Sequence, residues 1–293
     1  MGTCREVIYS KVPLGLARSA LFGTSSTKEK EQVEISLQDA SISAQKCRET
    51  KISYTGPALN QHHAMLWQSI ISVFVEQNNP VVEISGNELL RRMGNKSECV
   101  QMHRRLAKML HDLRRGEIKY STQTHDYYGG LVSGVTFAKV NVAGKVRKGD
   151  IRIQINNELS GLFADEVLIN DLSRKAKLGN NQLAQWLHDF ILTHKTMPPI
   201  DLEELRRLSR SNFEMKKFKF SVKKALDLLE TDEFKVVKSY QFNRRGQLVI
   251  DKYHSNVVIL DKYREDKAAG TRSSSIKSEA IAKARELHAK VAL

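Results

Sequence analysis

Between Ser97 and Arg115, side chains that can hydrogen-bond to nucleic acid recur every three or four positions. Gln101, Arg104, Lys108, His111 and Arg115 share one face of the helix that this spacing predicts, with Arg105 and Arg114 beside them. Met102, Leu106, Met109, Leu110 and Leu113 form the opposite, apolar stripe. An arginine fork can bind both acceptors on a guanine edge, and a glutamine amide can pair with adenine. Gln101 and Arg104, near the start of the helix, are therefore the candidates for base edges. Lys108 and Arg115 lie further along and are candidates for phosphate oxygens. Any solvated surface helix carries charge, but here the acids are only Glu98 and Asp112 against five Lys and Arg. That imbalance favours a polyanionic partner.

A second helix, predicted over 212–230, repeats the pattern in lysine. Met215, Phe218, Val222, Leu226 and Leu229 face inward, while Lys216, Lys217, Lys219, Lys223 and Lys224 crowd the other side. Lysine is a point charge and not a planar fork, so this face suits phosphate contacts better than base readout. Two basic turns accompany the helices: Lys145, Arg147 and Lys148 in one, Asn243, Arg244 and Arg245 in the other. Each is placed either to touch the DNA backbone or minor groove or to stand in solvent.

Enzymatic chemistry finds little support. Gly144–Lys145 lacks the upstream glycine and the following Ser or Thr of a phosphate-binding loop. His62 and His63 are adjacent, so on a helix they lie about 100° apart and do not face one ion; His63 is expected to pack and His62 to be solvated. No GxSxG, HExxH or Cys/His cluster occurs. Cys4, Cys47 and Cys99 are widely spaced and odd in number, which argues for a reducing compartment and against disulfides or zinc. Trp67 and Trp186 fall at core positions of their helices. The expectation is no catalytic site, no cofactor and no metal. An origin-nicking enzyme using Tyr127 or Tyr128 is the competing class.

The elements that must position these faces follow from the rest of the chain. Its 293 residues carry a formal charge of +14, of which a net +10 falls within residues 50–262. A basic excess of this size in the folded middle points to nucleic acid. No apolar run approaches the roughly 18 residues needed to cross a bilayer, so a cytoplasmic protein with no membrane partner is expected. Residues 1–49 read as an extension, partly flexible, with only Val33, Ile35 and Leu37 alternating as a strand. From Lys51 the order is a short strand, a long helix (Leu59 to Phe74), a short strand (Val81–Ile84), a short helix capped by Ser85 and Glu88, and then the helix ending at Arg115. Strands follow over Ile118–Ser121, Val132–Val140 and Ile151–Ile155. The order recurs: a helix from Asn180 to His194, a short helix capped by Asp201, a helix opened by a capping box at Ser211 and Glu214, and strands over Phe234–Phe242 and Leu248–Tyr253. This is the winged-helix order twice over. The predicted fold class is α+β with two tandem winged-helix domains, a helix-turn-helix plus β-hairpin wing in residues 50–157 and again in 158–262. Residues 263–293 form a charged C-terminal tail with a short helix.

Ala17–Arg18–Ser19–Ala20–Leu21–Phe22, then Ile52–Ser53–Tyr54–Thr55–Gly56 and Leu66–Trp67–Gln68, resemble the TrfA-type plasmid replication initiators. Leu162–Phe163–Ala164 and Met215–Lys216–Lys217–Phe218 also fit that family's pattern. The resemblance spans roughly residues 15–255. It implies a protein that binds direct repeats, or iterons, at a plasmid origin as a monomer, with dimers as an inactive store. It further implies opening of an adjacent duplex segment and recruitment of the host's replicative helicase, with no nucleotide cofactor. The family's sliding-clamp motif, a QLSLF-like run ahead of Ala17, has no counterpart in residues 1–16, and Glu158–Phe163 matches it only loosely. A winged-helix transcriptional regulator or autorepressor using the same surfaces is the alternative.

Overall fold

The computed structural model describes residues 8–24, 32–36, 51–121, 126–142, 145–156, 166–253 and 257–259. In chain order the elements are β1 (Tyr9–Pro13), α1 (Leu14–Arg18), β2 (Gln32–Ser36), β3 (Lys51–Pro57), α2 (Gln61–Gln77), β4 (Val81–Ile84), α3 (Gly86–Arg92) and α4 (Val100–Arg115). Then come β5 (Glu117–Ser121), β6 (Asp126–Gly129), β7 (Val132–Val142), β8 (Lys145–Ile155), β9 (Glu166–Asp171), α5 (Leu172–Ala176) and α6 (Gln182–Thr193). The series closes with α7 (Leu202–Leu208), α8 (Met215–Glu230), β10 (Val237–Phe242), β11 (Leu248–Lys252) and β12 (Val257–Ile259). It is a mixed α+β chain with several small antiparallel sheets.

Apolar side chains gather in two cores. In the first, the inward stripes of α2 (Leu66, Trp67, Ile70, Phe74) and α4 (Leu106, Met109, Leu110, Leu113) meet Leu89 and Leu90 of α3 and the inner faces of β4 and β8. The hairpin β7–β8 takes β4 as its third strand, in the order β4-β8-β7. In the second, α6 (Trp186, Leu187, Phe190, Ile191) and α8 (Phe218, Val222, Leu226, Leu229) pack with Leu205 and Leu208 of α7 and with Leu248 and Ile250 of β11. Here the hairpin β10–β11 is joined by Ile200, whose backbone exchanges hydrogen bonds of 3.0 and 2.8 Å with Leu248. Both tryptophans are core residues, as their helical positions imply.

Helix ends follow local chemistry, with some departures from expectation. The Asn60 side chain accepts from His62 N, and the His63 ring accepts from Asn60 N, so α2 carries a reciprocal cap. Asn78 ends it in the left-handed conformation at φ 51°. Ser85 Oγ accepts from Glu88 N as expected, but the Glu88 carboxylate turns to Arg91 and Arg92 and not back to the cap. The cap of α6 is Asn181, not Asn180. No capping box opens α8: Ser211 N bonds Arg206 O at the end of α7, so 211–213 belong to the turn and the helix starts at Met215. Lys235, at φ 46°, delays the following strand to Val237.

The segment expected as a partly flexible extension contributes structure between the cores. Strand β1 pairs antiparallel with β9, Tyr9 opposite Asp171 through Pro13 opposite Val167. Leu14 and Ala17 of α1 enter the second core, whereas Leu16, Leu21 and Phe22 enter the first. Strand β2 does contain Val33 and Ile35 and pairs with β3 in a sheet ordered β2-β3-β5-β6. In that sheet Gly116, just before β5, lets the Tyr54 ring approach: a Cβ there would lie 2.4 Å from it. Residues 157–165, with Leu162–Phe163–Ala164, and the tail after 259 lie outside the described residues. Among the described residues no helix is long and apolar enough to cross a membrane.

A buried polar cluster also joins the two cores. Lys175 of α5, with no solvent exposure, places Nζ 2.5 Å from Asp189 Oδ2 of α6. The same carboxylate accepts from Gln68 Nε2 of α2 at 2.9 Å and from Asn170 Nδ2 of β9 at 2.8 Å. Burial alone would raise the Asp189 pKa, but the Lys175 charge and the bond from His188 overcome it and hold the carboxyl well below the usual carboxylate range. Asp189→Asn leaves Lys175 buried without a counter-charge, so it is expected to cost about 3–5 kcal/mol in equilibrium urea unfolding at neutral pH. Because the folded carboxyl titrates below the unfolded value of about 3.9, the stabilisation is complete at neutral pH and is lost as pH falls. The gap between wild type and variant should therefore close on acidification below about pH 4.

Candidate nucleic-acid interface

Helix α4 presents the predicted face. Gln101, Arg104, Arg105, Lys108, His111, Arg114 and Arg115 are all exposed, while Leu106, Met109, Leu110 and Leu113 are buried. The two acids of this region are turned to groups on other helices. Glu98 lies 3.4 Å from Arg91 of α3, and Asp112 lies 3.5 Å from His63 of α2. Among the described residues no carboxylate comes within ion-pair distance of Arg104, Arg105, Lys108, Arg114 or Arg115. Their charge is uncompensated, which is unfavourable in isolation and favourable against phosphate. His62 is half-buried beside them, not solvated as expected. Burial first, then Arg105 and His63, pushes its pKa down to about 4, so it adds no charge at neutral pH.

In α8, Lys216, Lys217, Lys219, Lys223 and Lys224 are likewise exposed, with Phe218, Val222, Ala225, Leu226 and Leu229 turned inward. Four of these lysines sit over aromatic rings. Lys217 Nζ is 4.3 Å from the centroid of Phe213, Lys219 is 4.7 Å and Lys223 5.6 Å from Phe242, and Lys224 is 4.7 Å from Phe220. Each such contact is worth about 0.5–1 kcal/mol at an exposed site and limits where the ammonium points. Phe213, Phe220 and Phe242 escaped the sequence reading. The i,i+4 pairs Phe213/Lys217 and Phe220/Lys224 were a signal for two of them. Tyr240 Oη donates to Asp227 at 2.6 Å and pins the hairpin β10–β11 to α8, and burial together with that carboxylate pushes the phenol up to about 12.

The basic turns differ from one another. Arg244 and Arg245 are exposed at a tight hairpin tip, where Asn243 Oδ1 accepts from Arg245 N at 2.9 Å and Gln247 N at 3.0 Å. Lys145, Arg147 and Lys148 are not in a turn: the ladder continues to the end of the hairpin, pairing Lys145 with Val142, Arg147 with Val140 and Lys148 with Lys139. Residues 143–144 lie outside the described residues. Tyr127, half-buried, bonds Asn156, whereas Tyr128 is exposed with Lys119 Nζ 4.9 Å from its ring centroid. Among the described residues no group of His, Cys, Asp and Glu side chains could hold a metal ion.

A mixed α+β chain with two cores, each carrying a helix whose positive charge has no carboxylate partner among the described residues, defines the class. Residues 6–244 match the family model described as TrfA protein. The chain belongs to the TrfA family. It is also similar in fold to the crystal structure of selenomethionine derivatives of domains 2 and 3 of RctB. That match has 12% identity and a TM-score of 0.53, covering 83% of this chain and 98% of that one. A second crystal structure of RctB domains 2–3 matches with a TM-score of 0.47 and 12% identity over 75% of this chain and 85% of that one. A comparison with curated proteins finds no match.

The two helices should respond differently to truncation. Arg104→Ala is expected to cost about 1–3 kcal/mol on a specific duplex and to relax preference at one base pair. Lys216→Ala should weaken binding to all sequences alike and reduce the salt slope by about 1. Titrations on specific and scrambled duplexes at several salt concentrations distinguish these outcomes, and an Arg104→Ala variant unchanged in affinity and selectivity would refute the role given to α4.

Proposed function

We propose that this protein is a plasmid replication initiator that binds iteron repeats at an origin through two winged-helix units, α3–α4 with the β7–β8 wing and α7–α8 with the β10–β11 wing. The observation that supports this most is the recurrence of an uncompensated basic helix at the same place in two like-ordered units of a TrfA-family chain. In a helix-turn-helix the second helix enters the major groove, and α4 and α8 hold that place. Gln101 and Arg104 would read base edges. Arg105, Lys108, Arg115 and the lysines of α8 would hold phosphates, and Arg244 and Arg245, together with Lys145, Arg147 and Lys148, would reach the flanking backbone.

Affinity then comes from counterion release, roughly 0.9 salt-slope units per phosphate neutralised, and selectivity from a few base contacts and from DNA bending. Repeats one helical turn apart would stack monomers along one face of the duplex. Strain accumulated over the array would open the neighbouring segment and present it to the host's replicative helicase, with dimers as the inactive store. The protein itself would break no bond and need no cofactor.

Supplying the protein together with its origin DNA to a plasmid that lacks an origin should sustain replication. A transcriptional repressor using the same surfaces would bind that DNA without sustaining it. Supercoiled origin DNA incubated with the protein and divalent metal should stay supercoiled. Relaxed product would mean strand cleavage and overturn the non-catalytic reading.

A further inference from the structure

The turns that lead into the two basic helices are each seated on the opposite half of the molecule. Arg210, between α7 and α8, adopts φ 48°, a conformation that favours glycine. Its side chain crosses to the first half: Nη1 donates to Ala20 O at 3.3 Å, Leu21 O at 3.2 Å and Leu59 O at 3.4 Å. The grip is returned, since Thr24 donates to Ser209 O through its backbone N at 2.8 Å and its Oγ1 at 3.0 Å. Leu21 and Leu59 are core residues of the first half, so these carbonyls stand on rigid ground. No carboxylate lies within ion-pair distance of Arg210 among the described residues. The contact is set by hydrogen-bond direction and not by charge attraction.

The other turn is held by shape. Gly94, between α3 and α4, has φ 80°, and a Cβ there would lie 2.5 Å from Ala176 Cβ at the end of α5. Helix α5 is tied to α6 by the buried Lys175–Asp189 pair. The turn before α4 therefore abuts the second half, just as the turn before α8 abuts the first.

We infer that Arg210 and Gly94 are positioning residues that together fix the separation of α4 and α8, and so the spacing between duplex segments that the protein accepts. The inference rests on the reading of α4 and α8 as the duplex-contacting helices. Two binding elements on a rigid frame give joint affinity only when both can engage at once. Inserting 2 bp between their contacts rotates one about 70° away from the other at 10–10.5 bp per turn.

The test uses the full chain and a duplex holding one origin repeat, alongside the same duplex with 2 bp inserted at its centre. Wild type should lose at least about tenfold in affinity on insertion, whereas Arg210→Ala should bind the natural repeat more weakly and lose less than about threefold. Arg210→Lys keeps the charge, but its ammonium sits one bond nearer the backbone than Nη1 and falls short of the three carbonyls, so it should behave like the alanine variant. Full rescue by lysine would identify a phosphate contact instead and overturn the proposal. Gly94→Ala should relax the spacing preference independently, and adding Ala176→Gly should return part of it, since the φ of 80° stays strained for alanine. Variants that keep the wild-type insertion penalty overturn the proposal.

Amide exchange without DNA separates the joint from the DNA reading. In Arg210→Ala, Gly23 and Thr24 should exchange on the order of tenfold faster while α6 and α8 stay protected. Unchanged exchange overturns the joint. A wild-type protein that binds no duplex overturns the reading of α4 and α8 while leaving the joint measurable.

Discussion

Two positively charged helices can act on one duplex only if something rigid relates them, and here that constraint falls on a narrow seam between two cores. The seam is made of residues 12–24, the buried Lys175–Asp189 pair with Gln68 and Asn170, and the two docked turns at Gly94 and Arg210. Apolar side chains of residues 12–24 enter both cores, and the polar contacts beside them are directional. An apolar seam would tolerate sliding, whereas a guanidinium on three carbonyls and a buried ion pair with two amide partners hold one arrangement or leave charge and dipoles unsatisfied.

The surface chemistry has the same economy. Acidic residues near the basic helices contact groups behind them: Glu98 and Glu88 pair with Arg91, Glu88 and Glu76 pair with Arg92, and Asp112 lies against the imidazole of His63. Among the described residues no carboxylate pairs with the outward arginines of α4 or lysines of α4 and α8. In α8 the lysines rest on Phe213, Phe220 and Phe242, which supports the ammonium groups without cancelling their charge. A polyanion is the partner such a surface best accommodates, in keeping with membership in the TrfA family.

Much of this was legible in the residues because it is periodic. The stripes of α2, α4, α6 and α8 repeat every three or four positions; in α4 and α8 the apolar stripe is the buried face, whereas α2 and α6 are buried on nearly every side, polar residues included. What is not periodic stayed hidden. Strand β1 owes its place to a partner far along the chain, and Leu16, Leu21 and Phe22 are too few to show a pattern. Lys175 has the composition of a surface residue, and only the convergence of Gln68, Asn170 and Asp189 makes its burial possible. The capping signal at Ser211 misled because Arg210 turns left-handed and draws residues 211–213 into the turn. The family-like run Ala17–Phe22 resembled TrfA initiators before its physical task was visible, which is to enter both cores at once.

Hydroxyl-radical footprinting of the full chain on a single origin repeat addresses the central claim most directly. The account predicts two protected patches on one face of the duplex, about one helical turn apart. Replacing Lys216, Lys219 and Lys223 together by alanine should erase one patch and spare the other. A single patch, or two patches that both survive the loss of those lysines, would contradict it.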